Sequence, residues 1–261
     1  MEYDKVFSER ANSYANAMKL YPDVLKNEFQ TAAEMVQTGL KLDSKSEHNQ
    51  KYIILNIPSG VDSIEQFLNH NTLYVPFEIS DSFLNIDVSG RTKKCKLDSI
   101  SMPNESVDRI LSLACLHHSS DEERLGFYIE SARILKPDGK LVIGEVVKDS
   151  LQDQWLNEFV DAHNSLGHKG RFFNNGINGI EKFLLESAGY NVDIHIKEYD
   201  WEFKNKDCLI DFSKKLFGLD LANNNTILHG FKQYFDINID SDPHTTYKVP
   251  WKLLYFVASK K

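Results

Sequence analysis

LDSISMPNESVDRILSLACLHH (residues 97–118) and ARILKPDGKLVI (residues 132–143) hold the clearest alternation of strand and helix in the chain. In the first, a polar loop opening on Asp98 runs into the apolar strand Val107–Ala114 and ends on the pair His117-His118. The second begins in the last turn of an amphipathic helix over Asp121–Leu135, which passes through Pro137-Asp138-Gly139 into the strand Lys140–Val147. Pro-Asp-Gly is turn chemistry, so the pattern is strand, helix, turn, strand.

Working outward, Tyr52–Ile57 is short and almost wholly apolar, as expected of a strand covered on both faces. Pro58-Ser59-Gly60 is a turn, Asp62–Asn69 is helical in character, and Thr72–Ile79 is a second strand. Pro76 inside that strand predicts a sheet edge or a bulge, because proline cannot donate to the ladder. A short helix is expected from Asp81. Upstream, residues 4–42 read as helical, with Val24, Leu25, Phe29, Ala32, Met35 and Val36 near helical spacing and Pro22 opening the second helix. Downstream, helices are expected over Gln152–Ser165, Ile180–Ala188 and 207–235, and strands over Tyr190–Ile196 and Trp251–Ser259. Strands alternating with helices predict an α/β fold with a doubly wound, mostly parallel sheet. The expected organisation is one domain. A helical cap (1–45) precedes the core (50–150), a lid with the remaining core (151–250) and a closing strand (251–259).

Thirty Lys and Arg against 38 Asp and Glu leave a net charge of −8, which argues against nucleic-acid binding through phosphate attraction. Three scattered cysteines, without a CxxC pair, exclude a disulfide scaffold and fit a reducing, cytoplasmic compartment. No apolar run approaches the roughly 20 residues that span a bilayer, and the first residues lack the apolar core of a signal peptide. Monomer and homodimer remain equally compatible with the sequence.

The order of Asp98, the loop to Val107-Asp108, the strand ending in Leu116-His117-His118, and Arg133-Ile-Leu-Lys-Pro-Asp-Gly139 resembles the class I S-adenosylmethionine (SAM)-dependent methyltransferases over residues 50–147. The resemblance implies a Rossmann-like fold and SAM as cofactor. The first loop departs from the family pattern. Asn56-Ile-Pro58-Ser59-Gly60-Val-Asp62 keeps one of three expected glycines and has Asn where an acid is usual. Such a loop can still serve. Pro58 keeps Ile57 extended, Gly60 permits close backbone approach, Asn56 can accept from the SAM ammonium, and Asp62 and Ser63 can cap the next helix. Glu78 stands at the end of the second strand, where a carboxylate can accept from both ribose hydroxyls. That geometry suits NAD equally, but no GxGxxG accompanies it. The resemblance further implies that Asp98 and the Ser99 amide meet the adenine, and that Leu113 lines the cofactor pocket. Phe7, Ala11, Tyr14 and Tyr21-Pro22 resemble the cap of small-molecule methyltransferases, so Tyr14 is expected to cover both SAM and substrate.

Methyl transfer from SAM has no universal catalytic motif, because the methyl arrives activated and the protein chiefly positions the nucleophile. The candidate catalytic residues are His117, His118, Glu145 and His168. The segment His163–Phe173 carries two His, Lys169 and Arg171, bends at Gly167 and Gly170, and predicts a substrate loop with His163, His168, Arg171 and Phe172. His163 and His168 have no third ligand in register, so no metal site is expected. Trp201, Phe203, Phe212, Phe217, Phe231, Tyr234 and Phe235 predict an apolar chamber under a lid. The expected function is methyl transfer to O, N or C of a small biosynthetic metabolite. All seven prolines stand singly, which removes the Pro-Pro motif of DNA and glutamine N-methylation. The altered loop keeps two alternatives open: SAM used for non-methylating chemistry such as cyclisation, and a degenerate binding or regulatory homologue.

Overall fold

A computed structural model of the protein describes residues 7–41, 51–61, 64–174, 179–239 and 245–261. Helices α1 (Ala11–Leu20) and α2 (Lys26–Gln37) form the cap. The core then runs β1 (Tyr52–Asn56), β2 (Thr72–Glu78), α3 (Asp81–Ile86), β3 (Lys93–Lys94), β4 (Val107–Leu113), α4 (Asp121–Ile134) and β5 (Leu135–Val146). A helical stretch follows, made of α5 (Leu151–Gln154), a π-helical segment (Trp155–Val160) and α6 (Asp161–His163). The chain closes with α7 (Ile180–Ser187), β6 (Tyr190–Phe203), α8 (Lys206–Phe217), α9 (Asn224–Phe235) and β7 (Tyr247–Lys260).

The seven strands lie in the order β3-β2-β1-β4-β5-β7-β6. The first five are parallel, β7 runs antiparallel to β5, and β6 antiparallel to β7. The expected doubly wound, mostly parallel sheet is thus the fold. Its apolar runs are continuous because consecutive residues feed opposite cores. Ile54, Leu111 and Val142 pack on one face under α2 and the C-terminal helices, while Leu55, Ile110 and Ile143 pack on the other against α4 and α7. Helix α4 starts on a capping box, with Ser120 and Glu123 each bonding the other's backbone N–H. No helix among the described residues is long and apolar enough to cross a membrane.

Three expectations change. The stretch before β2 is a 3-10 turn over Ile64–Phe67 rather than a helix, and Asp62 and Ser63 lie outside the described residues. Pro137-Asp138-Gly139 is a bulge inside β5 rather than a turn before it. Val107 pairs with Leu135 and Arg109 with Lys140, so three extra residues loop out around Asp138, whose φ is 63°. The last two strands are longer than expected, because β6 and β7 pair residue for residue from Tyr190↔Lys260 to Phe203↔Tyr247. β5 accompanies β7 only over Leu253–Ser259. The remainder of the pair projects beyond β5 as a two-stranded arm carrying Trp201 and Trp251. Pro76 agrees with its expectation, since the two-residue β3 meets β2 only at Phe77 and Glu78.

Candidate active site

Strand order reverses between β1 and β4, and in such sheets the crevice beyond the carboxyl ends is where ligands bind. Two adjoining cavities occupy it. A cleft of about 70 Å³ lies against Pro58, Ser59, Gly60, Leu113 and Ala114. A chamber of about 110 Å³ lies between the cap, His117, His118, His168 and the aromatic arm. Phe7, Tyr14, Leu25, Glu28 and Ala114 line both.

The first loop is held by Glu78. This carboxylate is fully buried, with Oε2 accepting from Gly60 N at 2.7 Å and Oε1 from Ile79 N and Ser80 N at 2.8 Å each. Three of roughly four acceptor positions on the carboxylate therefore serve the main chain. The residue expected to meet a ribose is first a clamp joining the β1 and β2 loops. Gly60 takes φ +53°, and the space where a Cβ would stand is open. The Oγ of Ser59 is buried on the cleft wall, with no hydrogen-bond partner among the described residues. Asn56 is placed otherwise than expected: it is buried, donates from Nδ2 to Tyr74 Oη at 3.0 Å, and is not a wall of the cleft.

Beside the cleft, an outer groove runs past Ile79, Leu97, Asp98, His118 and Gly126. Asp98 is exposed there. The Ser99 amide expected to reach adenine instead donates to Lys96 O at 3.1 Å, closing a tight turn.

The histidines are placed by the ends of β4 and β5. After Leu113 the chain turns sharply at Ala114, φ +49°, whose N–H donates to Gly144 O at 2.7 Å. The following turn, Leu116–His118, presents both rings to the chamber. Glu145, fully buried on β5, accepts the His117 N–H at 3.2 Å on Oε1 and lies 2.9 Å from its Nδ1 through Oε2. His168 arrives from the loop after α6. Asp161 accepts its N–H at 2.8 Å, and Asn157 holds Gly170 through both its backbone groups. The ring of Phe172 folds over Gly170 so closely that a Cβ there would stand 2.5 Å from it. Phe173 then joins the end of β5, donating to Val146 O and accepting from Lys148 N.

The fold thus gathers Tyr14, His117, His118 and His168 around one space, with Glu145 behind His117 and Phe172 against the His117 ring at 4.9 Å. It does not bring His163 or Arg171 there. His163 packs on Phe159 at 4.3 Å and bonds its carbonyl through Nδ1, and Arg171 is exposed with its N–H on His117 O. Neither side chain lines the chamber.

Burial also changes the roles open to the histidines. Loss of solvation, reinforced by nearby His117, lowers the His118 ring well below its usual range and pushes His168 down to about 3. Groups that hold a proton so weakly are poor general bases at neutral pH.

Glu28 was missed by the sequence reading. It is 4% exposed and accepts from Trp201 Nε1 at 3.1 Å, and desolvation raises its carboxyl to about 7. A buried carboxyl poised near neutrality on the wall between two cavities has the properties of an acid–base group. A signal existed: Glu28 occupies the helical stripe of Leu25, Phe29, Ala32, Met35 and Val36, where an apolar residue belongs. Trp201 and Phe217 line the chamber as expected, whereas Arg10 and Trp251, whose ring stacks on Trp201 at 3.9 Å, were not anticipated there.

Residues 61–143 match the family described as "Methyltransferase domain". No curated protein sequence matches the chain. Among solved structures, YcgJ of Bacillus subtilis is similar with a TM-score of 0.58 at 14% identity, over 91% of this chain and 98% of that one. The cyclopropane synthase MmaA2 of Mycobacterium tuberculosis is similar with a TM-score of 0.53 at 13% identity, over 90% and 84%. The [4+2]-cyclase SpnF has a TM-score of 0.51 at 16% identity, over 90% and 80%. At these identities the likeness is one of fold.

Proposed function

We infer, from a chain that carries the class I SAM-dependent methyltransferase fold, that it binds SAM in the cleft and transfers the methyl group to a small acceptor held in the chamber. One observation carries this reading: the two cavities share five wall residues, so a donor in one and an acceptor in the other would meet. Near-attack geometry needs reacting atoms about 3–3.5 Å apart, and two spaces with a common wall allow donor and acceptor to approach each other.

The residues present fit the cofactor. The orphaned Ser59 Oγ and the open side of Gly60 are a donor and a close approach for its amino-acid end. Leu97 and Asp98 line the groove in which the adenine would lie, and Glu78 holds the loop between them. Phe7, packed on Phe83 at 4.8 Å and on His118 at 5.9 Å, borders the cleft beside Tyr14, and the two rings would cover the ligand.

SAM, when bound, supplies a methyl already activated by its sulfonium. The chain's own work is orientation and proton handling. Trp201, Trp251 and Phe217 give the acceptor flat apolar walls. Glu28 takes the proton of a hydroxyl or amine acceptor, and the Trp201 N–H fixes the carboxylate toward the shared wall. The small size of the chamber, about 110 Å³, together with the acidic balance of the chain, favours a small metabolite over a nucleic acid.

Calorimetry with SAM and S-adenosylhomocysteine, followed by product analysis against a panel of small hydroxylated and amino compounds, tests the proposal. It predicts binding of both ligands and S-adenosylhomocysteine as coproduct. Methylthioadenosine, or turnover with SAM unconsumed, would instead favour non-methylating chemistry.

A further inference from the structure

His117, His118 and His168 come from two segments some fifty residues apart, yet a ring nitrogen of each lies within 4.8 Å of the other two. All three side chains are buried. Nitrogens so spaced share a point at most about 2.8 Å from each, against ~2.0–2.1 Å for a zinc–imidazole bond, so ring shifts of under about 1 Å would close a coordination shell.

Two further observations point to a ligand. Glu145 engages His117 at Nδ1 and at its backbone N–H, which leaves Nε2 as the outward nitrogen and fixes the ring. A carboxylate behind a histidine in this way is the usual outer support of a metal-binding imidazole. Nδ1 of His168 is buried without a hydrogen-bond partner among the described residues. A buried ring nitrogen of this kind requires a partner of some sort.

We propose that His117, His118 and His168 bind one divalent first-row transition-metal ion, supported by Glu145, with an open coordination position facing the chamber. Three imidazoles without an oxygen donor suit zinc, cobalt, nickel or ferrous iron and are a poor set for magnesium or calcium. Three protein ligands leave a fourth position for a water or a substrate atom. Among the described residues Arg10 also stands on the chamber wall, so ion and guanidinium together select an anionic oxygen, as in a carboxylate, phenolate or enolate. Only this choice of occupant rests on the proposed methyl transfer; the metal site stands on the histidine geometry alone.

The test is a cobalt(II) titration of the chelator-stripped full chain, read by visible absorption and by elemental analysis after dialysis. One equivalent should bind with the intense bands of a four- or five-coordinate ion, and zinc should displace it. His168→Ala and His117→Ala should each lose at least 100-fold in affinity. Glu145→Gln should lose 10- to 100-fold, and His195→Ala, an exposed control on β6, should lose none. Circular dichroism and a melting scan identify any variant that fails to fold, and the wild-type spectrum decides without variants. No bound cobalt, an octahedral spectrum, or full stoichiometry in folded His168→Ala would overturn the proposal. SAM calorimetry on the stripped protein is read separately, so either reading can fail while the other stands.

Discussion

Glu28→Gln separates the catalytic account from a merely structural one, because the two predict opposite balances of gain and loss. The carboxyl is buried, and desolvation lifts it from an ordinary 4.5 to about 7. At about 1.36 kcal/mol per pH unit, that rise corresponds to roughly 3 kcal/mol of linked stability. The folded state keeps this proton to higher pH than the unfolded chain. The contribution is therefore complete below about pH 4.5 and is lost as pH climbs through about 7. Glutamine has the same shape, can accept from Trp201 Nε1, and never ionises. The variant should match the wild type near pH 4.5 and exceed it by up to roughly 3 kcal/mol at pH 8, measured by urea denaturation at the two values. Its turnover with a hydroxyl or amine acceptor should fall by about 10²–10⁴, the usual worth of a general base. The rising limb of the wild-type pH–rate profile near pH 7 should vanish. A variant equally active, with that limb intact, would refute the assignment of Glu28. A variant destabilised at pH 8 would refute the burial argument beneath it.

Glu78→Ala removes the acceptor of three backbone N–H groups. It should cost roughly 2–5 kcal/mol of stability and weaken SAM binding in calorimetry. Gly60→Ala has room for its methyl but must hold φ +53°, so about 1–2 kcal/mol of strain should appear in the melting temperature. Trp201→Ala removes a buried indole stacked on Trp251 and should cost about 3–5 kcal/mol, raising the acceptor KM far more than the SAM Kd.

Much of the fold was legible because its strands announce themselves. The runs at 52–57, 107–114 and 140–147 are apolar on both faces and bounded by turn residues, so periodicity and punctuation agree. The long β6 was only half visible, since Lys197-Glu-Tyr-Asp-Trp-Glu-Phe203 looks charged along its length. Its Tyr199, Trp201 and Phe203 nevertheless alternate with the charges at the period of a strand, and pairing with β7 turns that alternation into an arm. Local strand-end residues of the site, such as Ser59, Gly60 and Leu113, could be placed from their position after a strand. The chamber could not. Its acid sits on a cap helix, its third imidazole on a distant loop, and its indoles on the arm. Only tertiary packing makes neighbours of Glu28, His168 and Trp201. His163 and Arg171 show the converse limit. They share a segment with His168, but the sequence does not show which way each faces.

Calorimetric titration of the full chain with SAM decides whether the cleft is a cofactor site. One site per chain is expected, bound by S-adenosylhomocysteine as well and weakened by Glu78→Ala. No heat with either ligand at millimolar concentration, from a folded protein, would contradict it.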